Sequence, residues 1–260
     1  MTPRPRPPSF ADACARVVED PGADHSLATT LAPVRARMDV SEAASARTDA
    51  RRELLAARLP ADVDRVAELG CGTGTLLDRL REEHDAVGVD PAPGLLAFAA
   101  ARGASVICGD PANPPLRAAF DAVCAFDAAG TPPSAPLSAL FEGAYATLRP
   151  GGILVAGALS DARAVADSGV ETYRGARYVL ERAVDVAPGE SAVHADYRVT
   201  DRRTGAVGVT SERTPFRVVD AADVREALDD SGFEDASVVA DAGVEGELVV
   251  TAVRPVETGG

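Results

Sequence analysis

The chain of 260 residues contains no lysine and no tryptophan, and it has only four cysteines and three histidines. Without lysine it has no Gly-Lys-Ser/Thr, which a phosphate-binding P-loop needs. The histidines are far apart (His25, His84 and His194) and no two cysteines are spaced as Cys-x-x-Cys, so we expect no metal site. A nucleophile elbow or other triad motif is also missing. These absences argue against several classes of nucleotide-binding, metal-dependent and nucleophilic enzyme.

Long apolar runs are lacking as well, since none reaches the length of a membrane span. The N-terminus is rich in proline and arginine and lacks the apolar centre of a signal peptide, so we expect a disordered tail over residues 1–9. The cysteines fit the pattern of reduced, buried residues in a cytoplasmic protein. They are Cys14, Cys71, Cys108 and Cys124. We therefore expect a cytoplasmic protein with no membrane partner.

Positive charge is scarce, because the net charge is −14 although the chain has 26 arginines. A strongly acidic surface repels nucleic acids and anionic membranes, so we expect no nucleic-acid partner. An acidic chain without lysine resembles the proteins of salt-in halophiles. A GC-rich genome would also deplete lysine, but it would not explain the acidity, so we favour the halophilic interpretation.

What the chain does contain is a glycine-rich stretch between Val66 and Leu77. A short apolar run leads into three glycines at alternate positions and then into an apolar, helix-forming run, which predicts a strand, a tight turn and a helix. Glycine adopts positive φ readily and lets a ligand lie against the backbone. The start of the helix adds free N–H groups that suit an anion. We expect a ligand with a negatively charged end to lie across Gly70 to Gly74.

The spacing of these glycines separates two kinds of ligand. A dinucleotide site has Gly-x-Gly-x-x-Gly or Ala, but here the third glycine comes one residue early. Glu68-x-Gly70-x-Gly72-x-Gly74 instead resembles motif I of the class I S-adenosylmethionine-dependent methyltransferases. The resemblance implies that S-adenosylmethionine is the cofactor and that it contacts five residues of this stretch: Glu68, Gly70, Cys71, Gly72 and Gly74.

The resemblance also implies the fold, an α/β, Rossmann-like sheet of seven strands with the last strand antiparallel and an antiparallel meander inserted after the fifth. The final two strands are joined by a short glycine-containing link and must be antiparallel neighbours. Periodicity and turn residues predict the strands at 65–69, 86–90, 105–110, 120–126, 153–158, 233–240 and 247–253. We divide the chain into N-terminal helices at 10–60, a methyltransferase domain at 61–160 and 220–256, and an insertion at 161–219.

Two acidic residues follow strands at positions that this family uses to bind adenosine. Asp90 lies about twenty residues beyond the glycine loop, where the carboxyl end of a parallel neighbour brings a carboxylate to a ribose. Since it precedes Pro91, it is also suited to cap the next helix, and the two roles are compatible. Asp110 and Pro111 follow the third strand, where a carboxylate can accept from the adenine amino group. An ordinary loop aspartate is the alternative for Asp110.

The methyl-transfer point is expected where the strand order reverses, at the carboxyl ends of the first and fourth strands. Phe126 and Asp127 lie at the exit of the fourth strand. Asp127 is the candidate catalytic residue, because its carboxylate could bind an amine or accept its proton. A role in capping the turn fits the same position equally well.

After the fifth strand the pattern changes to three β segments, at 176–186, 191–200 and 206–219. Their layout is similar to the insertion of sugar N,N-dimethyltransferases, which implies a roof over the substrate or a homodimer contact. His194 and Asp196 share a strand face, and a solvated face is favoured over a catalytic pair. The candidates for contacting the substrate are Tyr173, Arg174, Tyr178 and His194.

Together these residues predict a S-adenosylmethionine-dependent methyltransferase that acts on a small molecule. Holding a nucleophile in line with the methyl group can supply much of the catalysis. An amine needs only to lose its proton, whereas a hydroxyl usually needs a base, so nitrogen is slightly favoured over oxygen or carbon as the acceptor. The alternatives are a nicotinamide-dependent oxidoreductase and a non-catalytic protein that binds S-adenosylmethionine with the same fold.

Overall fold

The structure of the protein, a computed structural model, describes residues 6–126, 135–165, 169–187, 189–240 and 246–256. Several helices begin where the sequence provides a cap. Ser9, Ser41 and Asp220 each accept a backbone N–H of the first turn, which satisfies a donor that the helix itself cannot. The helices are α1 (Phe10–Glu19), α2 (Ala32–Met38), α3 (Glu42–Arg58), α4 (Thr75–Leu80), α5 (Pro93–Ala101), α6 (Leu137–Thr147) and α7 (Ala221–Asp230).

The strands form two sheets. They are β1 (Arg65–Leu69), β2 (Asp85–Asp90), β3 (Ser105–Cys108), β4 (Phe120–Ala125), β5 (Leu148–Leu159), β6 (Gly169–Arg174), β7 (Tyr178–Asp185), β8 (Ala192–Asp201), β9 (Val207–Pro215), β10 (Glu234–Ala240) and β11 (Glu247–Val253). Seven of them make the large sheet in the order β10-β11-β5-β4-β1-β2-β3. Strand β11 runs antiparallel to both of its neighbours, β10 and β5, and the other pairs of neighbours in this sheet are parallel. This confirms the predicted fold class, including the reversed last strand.

Two apolar clusters cover the faces of the large sheet. Phe141 of α6 and Leu228 of α7 are fully buried in one cluster, and Leu55 of α3 and Leu77 of α4 are buried in the other. Each such side chain contributes roughly 1.5–3 kcal/mol by leaving water. Among the described residues, no helix combines the length and the apolar character that crossing a membrane requires. With both faces covered, the carboxyl ends of the strands form the edge that a ligand can reach.

Strand β5 begins earlier than predicted. The sequence predicts a tight turn at 149–152 before a strand at 153–158, but the strand starts at Leu148 and pairs with β4 on both sides of an irregularity. Phe120 lies opposite Leu148, whereas Ala122 lies opposite Ile153. The extra residues bulge from the ladder, and Gly151 has the positive φ of +78° that a bulge can require. The two glycines at 151 and 152 therefore belong to an irregular part of strand β5 and not to a separate turn before it.

The small sheet contains four antiparallel strands in the order β6-β7-β8-β9. The predicted meander corresponds to β7, β8 and β9, but a further strand at Gly169–Arg174 was missed. Most residues of this strand are exposed and show no apolar alternation, so the strand exists only through its pairing with β7. The homodimer expected through these strands stays a prediction.

Helix α1 covers one face of the small sheet. Its Phe10, Cys14 and Val17 belong to the same apolar cluster as Tyr197 and Val199 of β8. Burial raises the pKa of the Cys14 thiol to about 12. A glycine at 208 is required on β9, because a Cβ there would collide with the backbone of Val17. The first helix is thus joined to the insertion rather than to the glycine loop.

A carboxylate ties β4 to the start of β1. Asp121 accepts the N–H of Asp64 at 2.9 Å and that of Arg65 at 2.7 Å, and it pairs with Arg149. Burial alone would raise the pKa of this carboxyl, but the two N–H groups and Arg149 hold it below its ordinary value. The folded-state pKa lies below that of the unfolded chain, so this stabilisation is present at neutral pH and is lost on acidification.

We expect Asp121→Ala to lower the free energy of unfolding by about 2 kcal/mol, because the N–H groups at the start of β1 lose a charged acceptor. Urea denaturation at neutral pH measures this change. Asp85→Ala is the control, since Asp85 pairs with Arg65 at 3.6 Å but its side chain is 65 % exposed. The free energy of unfolding of Asp85→Ala should fall by less than about 1 kcal/mol. Equal effects of the two variants would contradict the role given to Asp121.

Candidate cofactor and substrate site

The glycine loop leaves β1 and enters α4 through three residues with positive φ. Gly70, Gly72 and Gly74 have φ values of +79°, +52° and +76°, which other residues rarely adopt. The N–H groups of Gly70 and Cys71 donate to the carbonyl oxygen of Val89 at 2.7 and 3.1 Å, which fixes the loop to β2. Cys71 is buried, and burial raises the pKa of its thiol. Its side chain therefore offers a ligand no thiolate.

Asp90, the last residue of β2, organises this loop. Its Oδ2 accepts the N–H of Gly72 at 2.9 Å, and its Oδ1 accepts the N–H of Ala92 at 2.9 Å. The second bond turns the chain across the exposed Pro91 towards α5, but it does not cap the helix, because the N-cap residue is Ala92 and no side chain caps α5. Asp90 is only 7 % exposed. A carboxylate has about four lone-pair sites, enough to serve the loop and a pair of ribose hydroxyls together.

The glycine loop faces open space at one residue and packs closely at another. A Cβ built on Gly72 would have no heavy atom within 4 Å, so this glycine faces open space. A Cβ on Gly74 would lie 2.6 Å from the Cβ of Ala99 in α5. The two glycines therefore differ in purpose, since Gly72 leaves room for a ligand and Gly74 makes room for a helix.

Cys108 lies at the carboxyl end of β3, next to Asp90. The two residues are partners in the parallel register, and the Sγ of Cys108 is 3.7 Å from the carbonyl oxygen of Pro91. We predicted a buried thiol, but Cys108 is exposed. The reason is that β3 is the edge strand of the large sheet and ends at this residue. A thiol that the sequence analysis set aside thus lies beside the expected adenosine position.

Asp110 follows β3 by two residues and is exposed, whereas the neighbouring Pro111 is buried. Its Oδ1 accepts the N–H of Ala112 at 2.9 Å, and its backbone forms an isolated bridge with Asn113. The carboxylate therefore closes its own loop, which is the alternative that we kept for it. Its second oxygen makes no hydrogen bond within the described residues, so a contact with the adenine amino group stays a prediction.

Arg51, which no sequence motif marks as a site residue, lies near the end of β4. Arg51 of α3 donates from Nη2 to Oε1 of Glu247 at 2.8 Å, and its guanidinium lies 5.1 Å from the ring centroid of Phe126. The side chains of Arg51 and Glu247 are 10 % and 14 % exposed. Glu247 begins β11 opposite Leu159, the last residue of β5. A nearly buried ion pair therefore lies where methyl transfer is expected. Asp127, the predicted catalytic residue, lies outside the described residues.

Glu68 of β1 adds a second buried carboxylate to this edge, since it is 7 % exposed. Burial raises the pKa of the Cys124 thiol in β4, the charge of Glu68 raises it further, and the charge of Arg51 lowers it. Glu68 is also the register partner of Cys124 in the β1–β4 pair, so the two side chains lie on the same face of the sheet.

Two of the predicted substrate residues lie at the end of β6. Tyr173 donates its hydroxyl to Oε2 of Glu171 at 3.0 Å, and the carbonyl oxygen of Arg174 accepts from Arg37 of α2 at 3.3 Å. Tyr178 is 4 % exposed and belongs to the apolar cluster around α1, which favours packing over a substrate contact.

His194 lies elsewhere on the small sheet. Its Nε2 is 2.7 Å from Oε2 of Glu190, so the ring makes its hydrogen bond with Glu190 and not with Asp196. His194 is paired with Asp185, five residues along β7 from the partner of Tyr173, which corresponds to roughly 17 Å of strand. Tyr173 and His194 therefore do not lie in one cavity.

Comparison with known proteins identifies the part of the chain that carries the loop. A family model described as a methyltransferase domain matches residues 66–152, from β1 through the glycine loop to the start of β5. Residues 66–152 are a methyltransferase domain. No match is found among curated protein sequences.

Solved structures share the fold beyond this methyltransferase domain. The sugar N-methyltransferase KedS8 from a Streptoalloteichus species matches with a TM-score of 0.71 and 22 % identity, over 90 % of this chain and 96 % of that one. CalS10 from Micromonospora echinaspora, an amino pentose methyltransferase solved with S-adenosylmethionine bound, has a TM-score of 0.64 and 23 % identity, over 89 % and 100 %. DesVI from Streptomyces venezuelae has a TM-score of 0.64 and 20 % identity, over 81 % and 91 %. At these identities the likeness is one of fold.

The family match and the shared fold confirm the resemblance to S-adenosylmethionine-dependent methyltransferases. They also confirm the enzyme class and the cofactor that the resemblance implies. The roles given to individual residues of the methyltransferase domain stay predictions.

Cys108 offers a test of where adenosine lies in the methyltransferase domain. The other three thiols are buried, so a thiol reagent should modify one group in the native protein and four after unfolding. S-Adenosylhomocysteine should slow the native reaction, because the predicted adenosine contacts, Asp90 and Asp110, lie on either side of Cys108. Cys108→Ser, which should not be labelled, controls for the site of modification. An unchanged rate at saturating S-adenosylhomocysteine would contradict this placement.

Proposed function

We propose that this protein transfers the methyl group of S-adenosylmethionine to an amine nitrogen of a small molecule, and that an amino sugar is the best supported acceptor class. The observation that carries the proposal is one continuous edge of the large sheet. It holds the glycine loop and Asp90 on one side and the buried charges of Glu68, Arg51 and Glu247 on the other.

Each part of the cofactor would contact a different residue of this edge. The backbone from Gly70 to Gly74 would receive the methionine carboxylate, and Glu68 would lie near its ammonium. Asp90 would accept from the ribose hydroxyls and Asp110 from the adenine amino group. Bound in this way, S-adenosylmethionine supplies an activated methyl group on a positively charged sulfur.

The charge of the same edge favours an amine as the acceptor. Glu68, Glu247 and Arg51 together carry one net negative charge, which would attract a protonated amine, and the buried ring of Phe126 lies beside the Arg51–Glu247 pair. An amine must then lose one proton before it can attack, and a carboxylate is a sufficient acceptor for that step when the amine is held in place.

The histidines do not offer a stronger base at this edge. His25 is buried with its Nε2 2.8 Å from the carbonyl oxygen of Asp20, and Nδ1 of His84 is 3.1 Å from the carbonyl oxygen of Val63, before β1. His194 lies on the far end of the small sheet. A hydroxyl acceptor, which usually needs a base, is therefore less well served than an amine.

The overall fold gives independent support for this acceptor class. KedS8 is described as a sugar N-methyltransferase and CalS10 as an amino pentose methyltransferase, and each likeness covers about nine tenths of this chain, well beyond the methyltransferase domain. The small sheet is therefore the region in which we look for acceptor contacts.

A matched pair of acceptors tests the proposal. The protein is incubated with methyl-labelled S-adenosylmethionine and amino sugars, free and as nucleotide conjugates, each beside the analogue that has a hydroxyl in place of the amine. We expect labelled product and S-adenosylhomocysteine in equal amounts from an amine, and none from its hydroxyl partner. Equal transfer to the hydroxyl analogue, or transfer to neither while S-adenosylhomocysteine binds, would contradict the proposed acceptor.

A further inference from the structure

Asp39 joins the N-terminal helices to the glycine loop. It directly follows α2, and its side chain is 15 % exposed. Its Oδ1 accepts from Nε of Arg35 at 2.7 Å, and its Oδ2 accepts from the hydroxyl of Thr73 at 2.5 Å. Thr73 lies between Gly72 and Gly74 and is 2 % exposed. A carboxylate outside the methyltransferase domain therefore holds Thr73 of the cofactor loop.

The position of Asp39 does not favour the helix itself. A negative side chain at a helix C-terminus faces the negative end of the helix dipole, which is unfavourable. The ion pair with Arg35, one turn earlier, offsets this cost within the helix. Helix stability therefore does not explain why an acid occupies this position, whereas a contact with Thr73 does.

Thr73 is held from a second direction. Its carbonyl oxygen accepts from Nη1 of Arg102, the residue that ends α5, at 2.8 Å. Gly94 in α5 also lets the segment before α2 approach, because a Cβ there would lie 2.9 Å from the carbonyl oxygen of Ala28. The loop therefore lies between two supports, α5 and α2, and its conformation depends on both.

The same short helix contacts the small sheet. Nη1 of Arg37 donates to the carbonyl oxygen of Arg174 in β6 at 3.3 Å, and its guanidinium lies 3.7 Å from the ring centroid of Phe10. Burial and the hydrogen bond to Glu171 raise the pKa of Tyr173, a neighbour of Arg174 in this strand. Arg37, in the last turn of α2, thus contacts the strand that carries Tyr173 and Arg174, and Asp39, two positions later, contacts the cofactor loop.

We propose that Asp39 is a positioning residue that sets the glycine loop for cofactor binding through Thr73, and that α2 couples cofactor binding to strand β6. This inference rests on the proposed function, since it concerns the loop that holds S-adenosylmethionine. A bound cofactor fixes the loop, the fixed loop holds Asp39, and α2 then steadies β6. The acceptor accordingly meets an ordered β6 when the cofactor is bound.

Four variants and one double variant test the hydrogen bond. Calorimetric titration with S-adenosylhomocysteine compares Asp39→Ala, Thr73→Val, their combination, Asp39→Asn and Thr73→Ser with the wild type. Each of the first two should weaken binding about tenfold, the loss of one charge-assisted hydrogen bond. The double variant should bind S-adenosylhomocysteine no more weakly than the weaker-binding single variant, because the two substitutions remove the same hydrogen bond. Thr73→Ser keeps the hydroxyl and should bind as the wild type does, and Asp39→Asn should bind better than Asp39→Ala.

Hydrogen exchange of the same proteins tests the coupling to β6. In the wild type, S-adenosylhomocysteine should slow amide exchange in Ala32–Met38 and in Gly169–Arg174, whereas in Asp39→Ala the protection of Gly169–Arg174 should be lost. Glu83→Gln, which breaks an exposed ion pair with Arg52, is the control and should leave binding and protection unchanged. If the losses of affinity in Asp39→Ala and Thr73→Val multiply in the double variant, the inference is wrong. It is also wrong if Gly169–Arg174 keeps its full protection in Asp39→Ala. Either result would leave the proposed function standing. A wild type that does not bind S-adenosylhomocysteine would overturn both the inference and the proposed function.

Discussion

Replacing Asp90 by alanine is expected to weaken the binding of S-adenosylhomocysteine by about 100-fold or more, the loss of two hydrogen bonds to a charged acceptor. The carboxylate serves the ligand in two ways in the proposed function. It would accept from the ribose hydroxyls, and it holds the N–H of Gly72 at 2.9 Å, so its removal would also loosen the loop. Calorimetric titration measures the affinity, and circular dichroism with thermal unfolding checks that the variant is folded.

Two further variants grade this effect. Asp90→Asn keeps one acceptor oxygen at the same position and should retain part of the affinity. Asp110→Ala should weaken binding only about tenfold, because its carboxylate would contribute one hydrogen bond to the adenine amino group. If folded Asp90→Ala bound S-adenosylhomocysteine as tightly as the wild type, the ribose assignment would be wrong.

Arg51→Met is expected to lower the free energy of unfolding by about 3–5 kcal/mol, because it leaves the charge of Glu247 in a nearly buried place without its arginine. The variant also removes the guanidinium that lies 5.1 Å from the ring centroid of Phe126. Methionine fills much of the space that the apolar part of the arginine side chain occupied, so the fall in the free energy of unfolding arises mainly from the lost charge. Chemical denaturation at neutral pH measures the change, and methyl transfer should fall with it because both partners lie at the proposed reaction point.

Matched variants separate burial from the mere presence of an ion pair. Arg52→Met breaks the pair with Glu83 at 2.8 Å, but those side chains are 41 % and 55 % exposed, so stability should change by less than about 1 kcal/mol. The double variant Arg51→Met with Glu247→Gln should recover much of the lost stability, because no unmatched charge stays buried. Equal losses for Arg51→Met and Arg52→Met would show that burial of the Arg51 pair contributes nothing.

The parts of the site that the sequence predicts are those made by consecutive residues. The glycine loop and the turn after Asp90 each depend on side chains and φ values within a few positions, so their pattern is visible in the chain. The reversed final strand also follows from a local feature, the short link before β11. The confirmed fold class rests on such signals.

The contacts that the sequence does not predict join distant segments. Arg51 and Glu247 are 196 positions apart, and Asp39 and Thr73 are 34 apart. Neither pair has a spacing that marks it, because only the packing of α2 and α3 on the sheet brings the partners together. In the same way, β6 lacks an apolar period and forms by pairing with β7, and Cys108 is exposed because its strand lies at the edge of the sheet.

The most direct test of the central claim is one titration of the wild-type protein with two ligands. S-Adenosylhomocysteine and NADH are compared by calorimetry at low salt and in molar potassium chloride, since a net charge of −14 can weaken folding when it is not screened. The account predicts that one S-adenosylhomocysteine binds per chain and that NADH does not. Binding of NADH in its place, or of neither ligand to the folded protein at either salt concentration, would contradict a S-adenosylmethionine site at the glycine loop.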